Sequence, residues 1–234
     1  PQSRFGGHVI RGYRCLRRIA ENPVSGVYLA ESSKLGAEVV LKVLHQTPDP
    51  GRGDATFDRF MREYEIAAGL RHPNLVRIFD FGAGDDYTFI AMEYFEHGDL
   101  RARMKAGIAP AEAARLLGQM AAALQALHEA GVLHRDLKPG NVMLREDGSV
   151  VLIDFGMSKQ LALGGSITSQ GEIFGTPFYM SPEQGHGREN DGRSDLYSLG
   201  VILYEMLTRR TRPRRRCRSS TSTPTSRCRR CRPR

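Results

Sequence analysis

Along the first third of the chain, apolar positions recur every second residue in short runs broken by Gly, Pro and Asn, the period of half-buried strands. Residues 13–20 and 27–32 read as two strands of a hairpin, and 38–44, rich in β-branched residues, as a third. In the third, Val39, Leu41 and Val43 share one face, while Val40 and Lys42 share the other. A lysine amid that much Val and Leu either snorkels past a sheet edge or meets an anionic ligand. Residues 57–70 switch to helical spacing through Phe57, Phe60, Met61, Tyr64 and Ala67. Glu63 falls on the Phe60, Ala67 and Leu70 face, whereas Glu65 is turned roughly 200° away at about 100° per residue. His72-Pro73-Asn74 stops that helix, and residues 76–81 and 87–94 read as two more strands.

Past Gly98 the helical period takes over. Residues 111–130 set Leu116, Leu117, Met120, Leu124 and Leu127 on one side, with Pro110 suited to the first turn and Gly131 to the position past the end. A short strand pair (142–144 and 150–153), an irregular stretch to about Gly192 and a helix over 195–207 follow. The order predicts an α+β chain in two lobes: about five antiparallel strands with one helix, a connection at 93–99, then a mainly helical lobe. The periodicity ends at Arg209.

Composition changes this picture in one place. A chain of 234 residues, 40% hydrophobic and 26% charged, is ordinary for a globular protein. No run approaches the roughly 18 apolar residues of a membrane span, and residues 1–10 carry no apolar signal region. The net charge of +8 belongs to residues 209–234, where twelve arginines stand without an acid; without them the balance is −4. Cys217, Cys228 and Cys231 also lie there and lack a fourth zinc ligand, while the rest of the chain holds only Cys15, which suits a reducing cytoplasm. So Arg-rich a segment cannot bury enough apolar surface to order itself. A shifted reading frame would produce such a jump in Arg and Cys, and finding an intact frame on resequencing would overturn that account. Its rival is a basic tail that binds nucleic acid through salt-sensitive contacts.

The chemistry concentrates in His134-Arg135-Asp136-Leu137-Lys138-Pro139-Gly140-Asn141, which places a carboxylate, an ammonium and a carboxamide on one tight loop. Such a cluster can take a proton from a hydroxyl, neutralise a phosphate and hold a divalent metal. Downstream, Asp154-Phe155-Gly156 offers a second acid at a strand end, a natural metal ligand beside Asn141.

Lys42, Glu63, His134-Arg135-Asp136, Asn141, Asp154-Phe155-Gly156 and Ser181-Pro182-Glu183 stand in the order of the protein-kinase signature. Over residues 13–208 the chain resembles the eukaryotic-like serine/threonine protein kinases of bacteria. The resemblance implies a lobe over about 13–94 and another over about 95–208. It casts Asp136 as the base toward a Ser or Thr hydroxyl and Lys138 as the cation on the γ-phosphoryl group. Asn141 and Asp154 would hold Mg²⁺, or Mn²⁺, and Lys42, paired with Glu63, the α- and β-phosphates of ATP. Val27, Val40 and Met143 would enclose adenine with Ile19 and Ala20, the 92–95 hinge, including Glu93 and Phe95, would bind its edge, and Asp99 would reach the ribose. Arg135 suggests an activation loop phosphorylated at Ser166, Thr168 or Ser169.

Two departures stand out. Where the family's phosphate loop has three glycines, this chain has Ala20, Asn22 and Ser25, which predicts weaker ATP binding. The family's last helices are also missing after residue 208, so an arginine partner for Glu183 is lost and Leu199, Ile202, Leu203 and Met206 are expected to stay partly exposed. A binding scaffold that keeps the shape without turnover is the competing class.

Overall fold

The computed structural model of the chain describes residues 9–21, 25–44, 65–66, 68–84, 87–154, 178–187 and 190–210. Six antiparallel strands form one sheet: β1 (Val9–Ile10), β2 (Tyr13–Glu21), β3 (Ser25–Ser32), β4 (Ala37–Leu44), β5 (Ile78–Ala83) and β6 (Thr88–Glu93). They lie in the order β1-β2-β3-β4-β6-β5. The expected five strands are all present, and β1 is an addition. Two residues are too few to show a period, and the turn joining β1 to β2 rests on Arg11 and Gly12, both at positive φ.

Alternation along β4 separates two cores. Val39, Leu41 and Val43 are fully buried with Tyr28, Ala30, Phe89 and Ala91 on one side of the sheet. Leu44, Ile90 and Met92, with Val40 packed against them, belong to the larger core on the other side. Lys42 has the parity of Val40 and Leu44 and therefore stands on the side of the second lobe. The sheet curls far enough for the Tyr13 hydroxyl on β2 to donate to Asp80 Oδ2 on β5 at 3.2 Å. Burial, with the Asp80 carboxylate beside it, pushes that hydroxyl up to about 12, so it stays a donor.

The second lobe begins with α1 (Leu100–Lys105) and α2 (Pro110–Glu129), continues through a 3₁₀ turn at Pro139–Asn141 into β7 (Val142–Leu144) and β8 (Val150–Leu152), and ends in α3 (Pro182–Gly185) and α4 (Gly192–Thr208). In α2 the stripe Ala113, Leu116, Met120, Ala123, Leu124 and Leu127 is buried. Pro110 opens the helix, and Gly131 closes it at φ 76 with its N–H on His128 O, as the sequence predicts. The expected strand pair is β7 and β8, which bind the first lobe through Asn74: its Nδ2 donates to Val150 O at 2.7 Å and its O accepts from Leu152 N.

Three expectations need correction or fall outside the described residues. Helix α1 escaped prediction because six residues hold less than two turns of pattern. Leu199, Ile202 and Met206 are buried and Leu203 half-buried, because the apolar stripe of α4 faces α2. The apolar side chains that α4 leaves exposed are Leu196, Tyr204 and Leu207. Of the helix expected over 57–70, residues 65, 66, 68 and 69 are helical; Glu63, Phe155, Gly156, Ser166, Thr168, Ser169 and the Arg-rich segment from 211 onward lie outside the described residues.

Candidate active site

Pro139 fixes the start of the 3₁₀ turn, and Asn141 N–H closes it on Lys138 O at 2.9 Å. That turn brings residues 136, 138 and 141 together. Lys138 Nζ lies 2.6 Å from Asp136 Oδ2, and Asn141 Nδ2 donates to the same oxygen at 3.1 Å and to Asp136 O at 2.8 Å. Asp136 and Lys138 keep 19% and 25% of their side chains exposed, enough for a solute to reach them, whereas Asn141 is buried. A carboxylate so placed can accept a proton from a hydroxyl, and the adjacent ammonium can share its charge with an anionic oxygen arriving there.

The loop is held in a costly conformation. Arg135 sits at φ 63 and Asp154 at φ 58, a region that residues with side chains rarely occupy. At Arg135 the constraint is visible on both sides: its N–H donates to Asp195 Oδ1 at 2.8 Å and its O accepts from Gln184 Nε2 at 3.0 Å. Asp195 Oδ2 also takes His134 N–H at 2.9 Å and meets His128 Nε2 at 2.8 Å. A carboxylate only 2% exposed in the first turn of α4 thus anchors three groups. Gln184 serves twice, since its Oε1 also accepts from Ser181 N–H in the capping box of α3. Glu183, expected to lack its arginine, accepts instead from the Ser194 hydroxyl at 2.6 Å, which holds its carboxyl below the usual range.

His134 is fully buried, and burial pushes its imidazole below the ordinary value despite the opposing pull of Asp195 and Asp136. The folded chain therefore keeps this histidine neutral where the unfolded chain binds a proton. Its contribution to stability is present above the free imidazole value of about 6.5 and is lost as pH falls below it. Urea melts at pH 7 and about pH 5 should show a smaller acid loss for His134→Leu, by up to about 1.4 kcal/mol per pH unit. An unchanged pH slope would contradict this.

Across the cleft, Lys42 Nζ lies 2.8 Å from Asp154 Oδ1, with only 11% of the lysine side chain exposed. The partner expected for Lys42 was Glu63; among the described residues it is Asp154. Ile153 N–H donates to Asn141 O at 3.0 Å, so the residue preceding Asp154 is bonded directly to Asn141. Together they offer a carboxamide and a carboxylate oxygen, hard donors that suit Mg²⁺ or Mn²⁺ if phosphate oxygens and water complete the shell. Among the described residues no group of three or more His, Cys, Asp or Glu could hold a metal ion without such help. The two residues fit a nucleotide-borne metal.

The residues expected around adenine divide. Val27 pairs with Lys42 across β3 and β4, and Val40 pairs with Met92 across β4 and β6, so both valines line the Lys42 face. Met143 bridges to Asp99 below the hinge. Ala20 pairs with Val27, while Ile19 lies in an irregularity of β2 and stays exposed. Glu93 and Phe95 are engaged through their side chains: Arg145 binds the Glu93 carboxylate at 2.9 and 3.1 Å and lies over the Phe95 ring at 5.8 Å. Asp99, expected on the ribose, caps α1 by accepting Ala102 N–H at 2.7 Å. The β2–β3 hairpin forms without the three glycines. The glycine it requires is Gly26, where a Cβ would stand 2.6 Å from the Tyr28 ring.

Sequence reasoning missed the anchoring role of Asp195, together with Gln184, His128 and the Arg145–Glu93 pair. An acid in the first turn of a helix is ordinarily explained by the helix dipole, so nothing in the local sequence singles out Asp195.

A family model described as "Protein kinase domain" matches residues 13–227. Serine/threonine-protein kinase pkn2 of Myxococcus xanthus is 39% identical over 204 residues, 85% of this chain and 24% of that protein. Serine/threonine-protein kinase PrkC of Bacillus subtilis is 36% identical over 208 residues, 88% of this chain and 32% of that protein. A crystal structure of the Mycobacterium tuberculosis PknI kinase domain matches with a TM-score of 0.69 at 29% identity, covering 93% of this chain and 81% of that one. The chain spans about a quarter to a third of the length of these curated relatives.

Proposed function

The chain belongs to the protein kinase family, and on that footing we propose that it transfers the γ-phosphoryl group of ATP to serine and threonine hydroxyls of protein substrates. One observation carries this reading: the Asp136–Lys138 pair at 2.6 Å, with Asn141 on the same carboxylate, opposite the Lys42–Asp154 pair at 2.8 Å. That is the charge arrangement phosphoryl transfer needs, since the reaction depends on positioning and charge neutralisation more than on covalent chemistry.

In this reading Asp136 orients the substrate hydroxyl and takes its proton as the oxygen bonds to the γ-phosphorus and the bond to the ADP oxygen breaks. Lys138 stabilises the transferring group, and Lys42 steadies the α- and β-phosphates. Asn141 and Asp154 would hold Mg²⁺, which would supply charge neutralisation for the phosphate oxygens. Val27, Val40 and Met143 enclose adenine beneath the hinge. Asp99, engaged as a helix cap through Oδ1, would reach the ribose through Oδ2. Residues 13–208 form the catalytic unit, and phosphorylation at Ser166, Thr168 or Ser169 would give Arg135 an anionic partner. No helix among the described residues is long and apolar enough to cross a membrane; a cytoplasmic location belongs to the same proposal.

Phosphoamino-acid analysis tests the substrate class. With γ-labelled ATP, Mg²⁺ and two generic proteins, one acidic and one basic, label should appear on serine and threonine. Label on tyrosine alone, or bound ATP with no transfer, would refute the reading, and the second result would favour a scaffold.

A further inference from the structure

Helix α1 packs on the Pro139–Asn141 turn and brings Arg101 with it. The Arg101 guanidinium lies 3.7 Å, through Nη2, from where a Cβ on Gly140 would stand. Gly140 directly precedes Asn141, whose Nδ2 is 3.1 Å from the Asp136 carboxylate. The guanidinium therefore rests on the backbone that carries the reacting groups. It also acts on Tyr179: burial and then Glu205 hold that phenol above its ordinary value, and the Arg101 charge opposes them. Arg101 thus sits between the loop and the segment that leads into Ser181.

Among the described residues the acids near this surface are engaged within the protein, apart from Asp99 Oδ2, which lies 3.8 Å from the same Cβ position on Gly140. Asp99 caps α1, Glu112 is bound by Arg103 at 2.7 Å, Glu183 accepts from Ser194, and Glu205 accepts the Tyr179 hydroxyl. Arg101 is exposed, and among the described residues it forms no hydrogen bond or ion pair. The exposed guanidinium, with its charge not taken up by a salt bridge among the described residues, is what this surface offers to an acid on an approaching chain.

We propose that Arg101 is a specificity-determining residue, selecting protein substrates that carry Asp or Glu within a few positions of the accepting serine or threonine. The inference rests on the kinase reading. A peptide that delivers its hydroxyl to Asp136 passes Gly140 within a few residues, since an extended chain advances about 3.3 Å per residue. A guanidinium at that distance meets a carboxylate in the planar, two-point geometry that suits both groups. The chain's own Ser219, Ser220, Thr221, Ser222, Thr223, Thr225 and Ser226 lie between Arg218 and Arg227 and carry the wrong charge for this surface.

The test uses the full chain and two fluorescein-labelled peptides of equal length, each with one central threonine, flanked by Glu in one and by Arg in the other. Anisotropy with Mg²⁺ and a non-hydrolysable ATP analogue should show the Glu peptide binding about fivefold tighter, within the range of a solvent-accessible ion pair. Arg101→Glu should abolish or invert that ratio. Equal binding, a preference for the Arg peptide, or a ratio unchanged by Arg101→Glu would overturn the proposal. Because binding is read without turnover, a chain that prefers the Glu peptide yet transfers no label retains the recognition and loses the activity. One that labels both peptides equally does the reverse.

Discussion

Asp136→Asn is expected to lower the phosphoryl-transfer rate by about 10²- to 10⁴-fold, the usual contribution of a positioned general base. An amide of the same shape accepts no proton from the substrate hydroxyl. The rest of the site should survive the change. Asn141 keeps its bond to the backbone O of Asp136 at 2.8 Å, so the turn stays closed. Lys138 loses its ionised partner but, with a quarter of its side chain exposed, is re-solvated at a cost below about 1 kcal/mol. Lys42 and Asp154, proposed to hold the nucleotide side, are untouched, so KM for ATP should change little. Initial-rate kinetics over a range of ATP, with a thermal melt alongside, check both statements. A variant with unimpaired kcat would remove Asp136 from the role of base.

Asp195→Asn should produce a comparable loss of activity by a different route. The wild-type carboxylate accepts the N–H groups of His134 and Arg135 and meets His128, all while only 2% exposed. A carboxamide offers one acceptor in place of two and turns an NH₂ toward the other N–H. With the NH₂ at the Oδ1 position the Arg135 N–H is left buried and unpaired, one hydrogen bond to a charged acceptor is lost, and the two groups on the other oxygen meet a neutral acceptor, on the order of 2 to 4 kcal/mol in all. Against a typical total of about 5 to 15 kcal/mol, that is a large share. Arg135 is also freed to leave its φ of 63, and Asp136 moves with it. Urea melts and kcat measured on the folded fraction should both fall, whereas Asp136→Asn should depress only kcat. If Asp195→Asn matched wild type in both, the loop would not be held by α4.

The contrast between these two residues explains what the sequence made legible. The loop from His134 to Asn141 could be read directly because its chemistry lies within eight residues and one tight turn brings it together. Lys42 was visible as a charge out of place on an apolar face, and α2 announced both its ends through Pro110 and Gly131. Asp195 depends on contacts with residues about sixty positions away, which no local pattern encodes. The same holds for the Lys42–Asp154 pair, separated by 112 positions, and for Arg145 on Glu93. Leu199 and Ile202 were misjudged for a related reason: the apolar face of α4 was recognised, but its partner, α2, lies more than sixty residues upstream. At Gly26 the missed signal was steric, since the demand for glycine comes from the Tyr28 ring two residues along.

The central claim is that this cleft moves the γ-phosphoryl group of ATP to protein hydroxyls. Parallel reactions of the wild-type chain with α-labelled and γ-labelled ATP, in Mg²⁺ with a protein acceptor, test it most directly. The account predicts protein-bound label from γ-labelled ATP alone. Label carried over from α-labelled ATP would mean nucleotidyl transfer, and the absence of label from both, with ATP bound, would mean a binding scaffold; either result would contradict it.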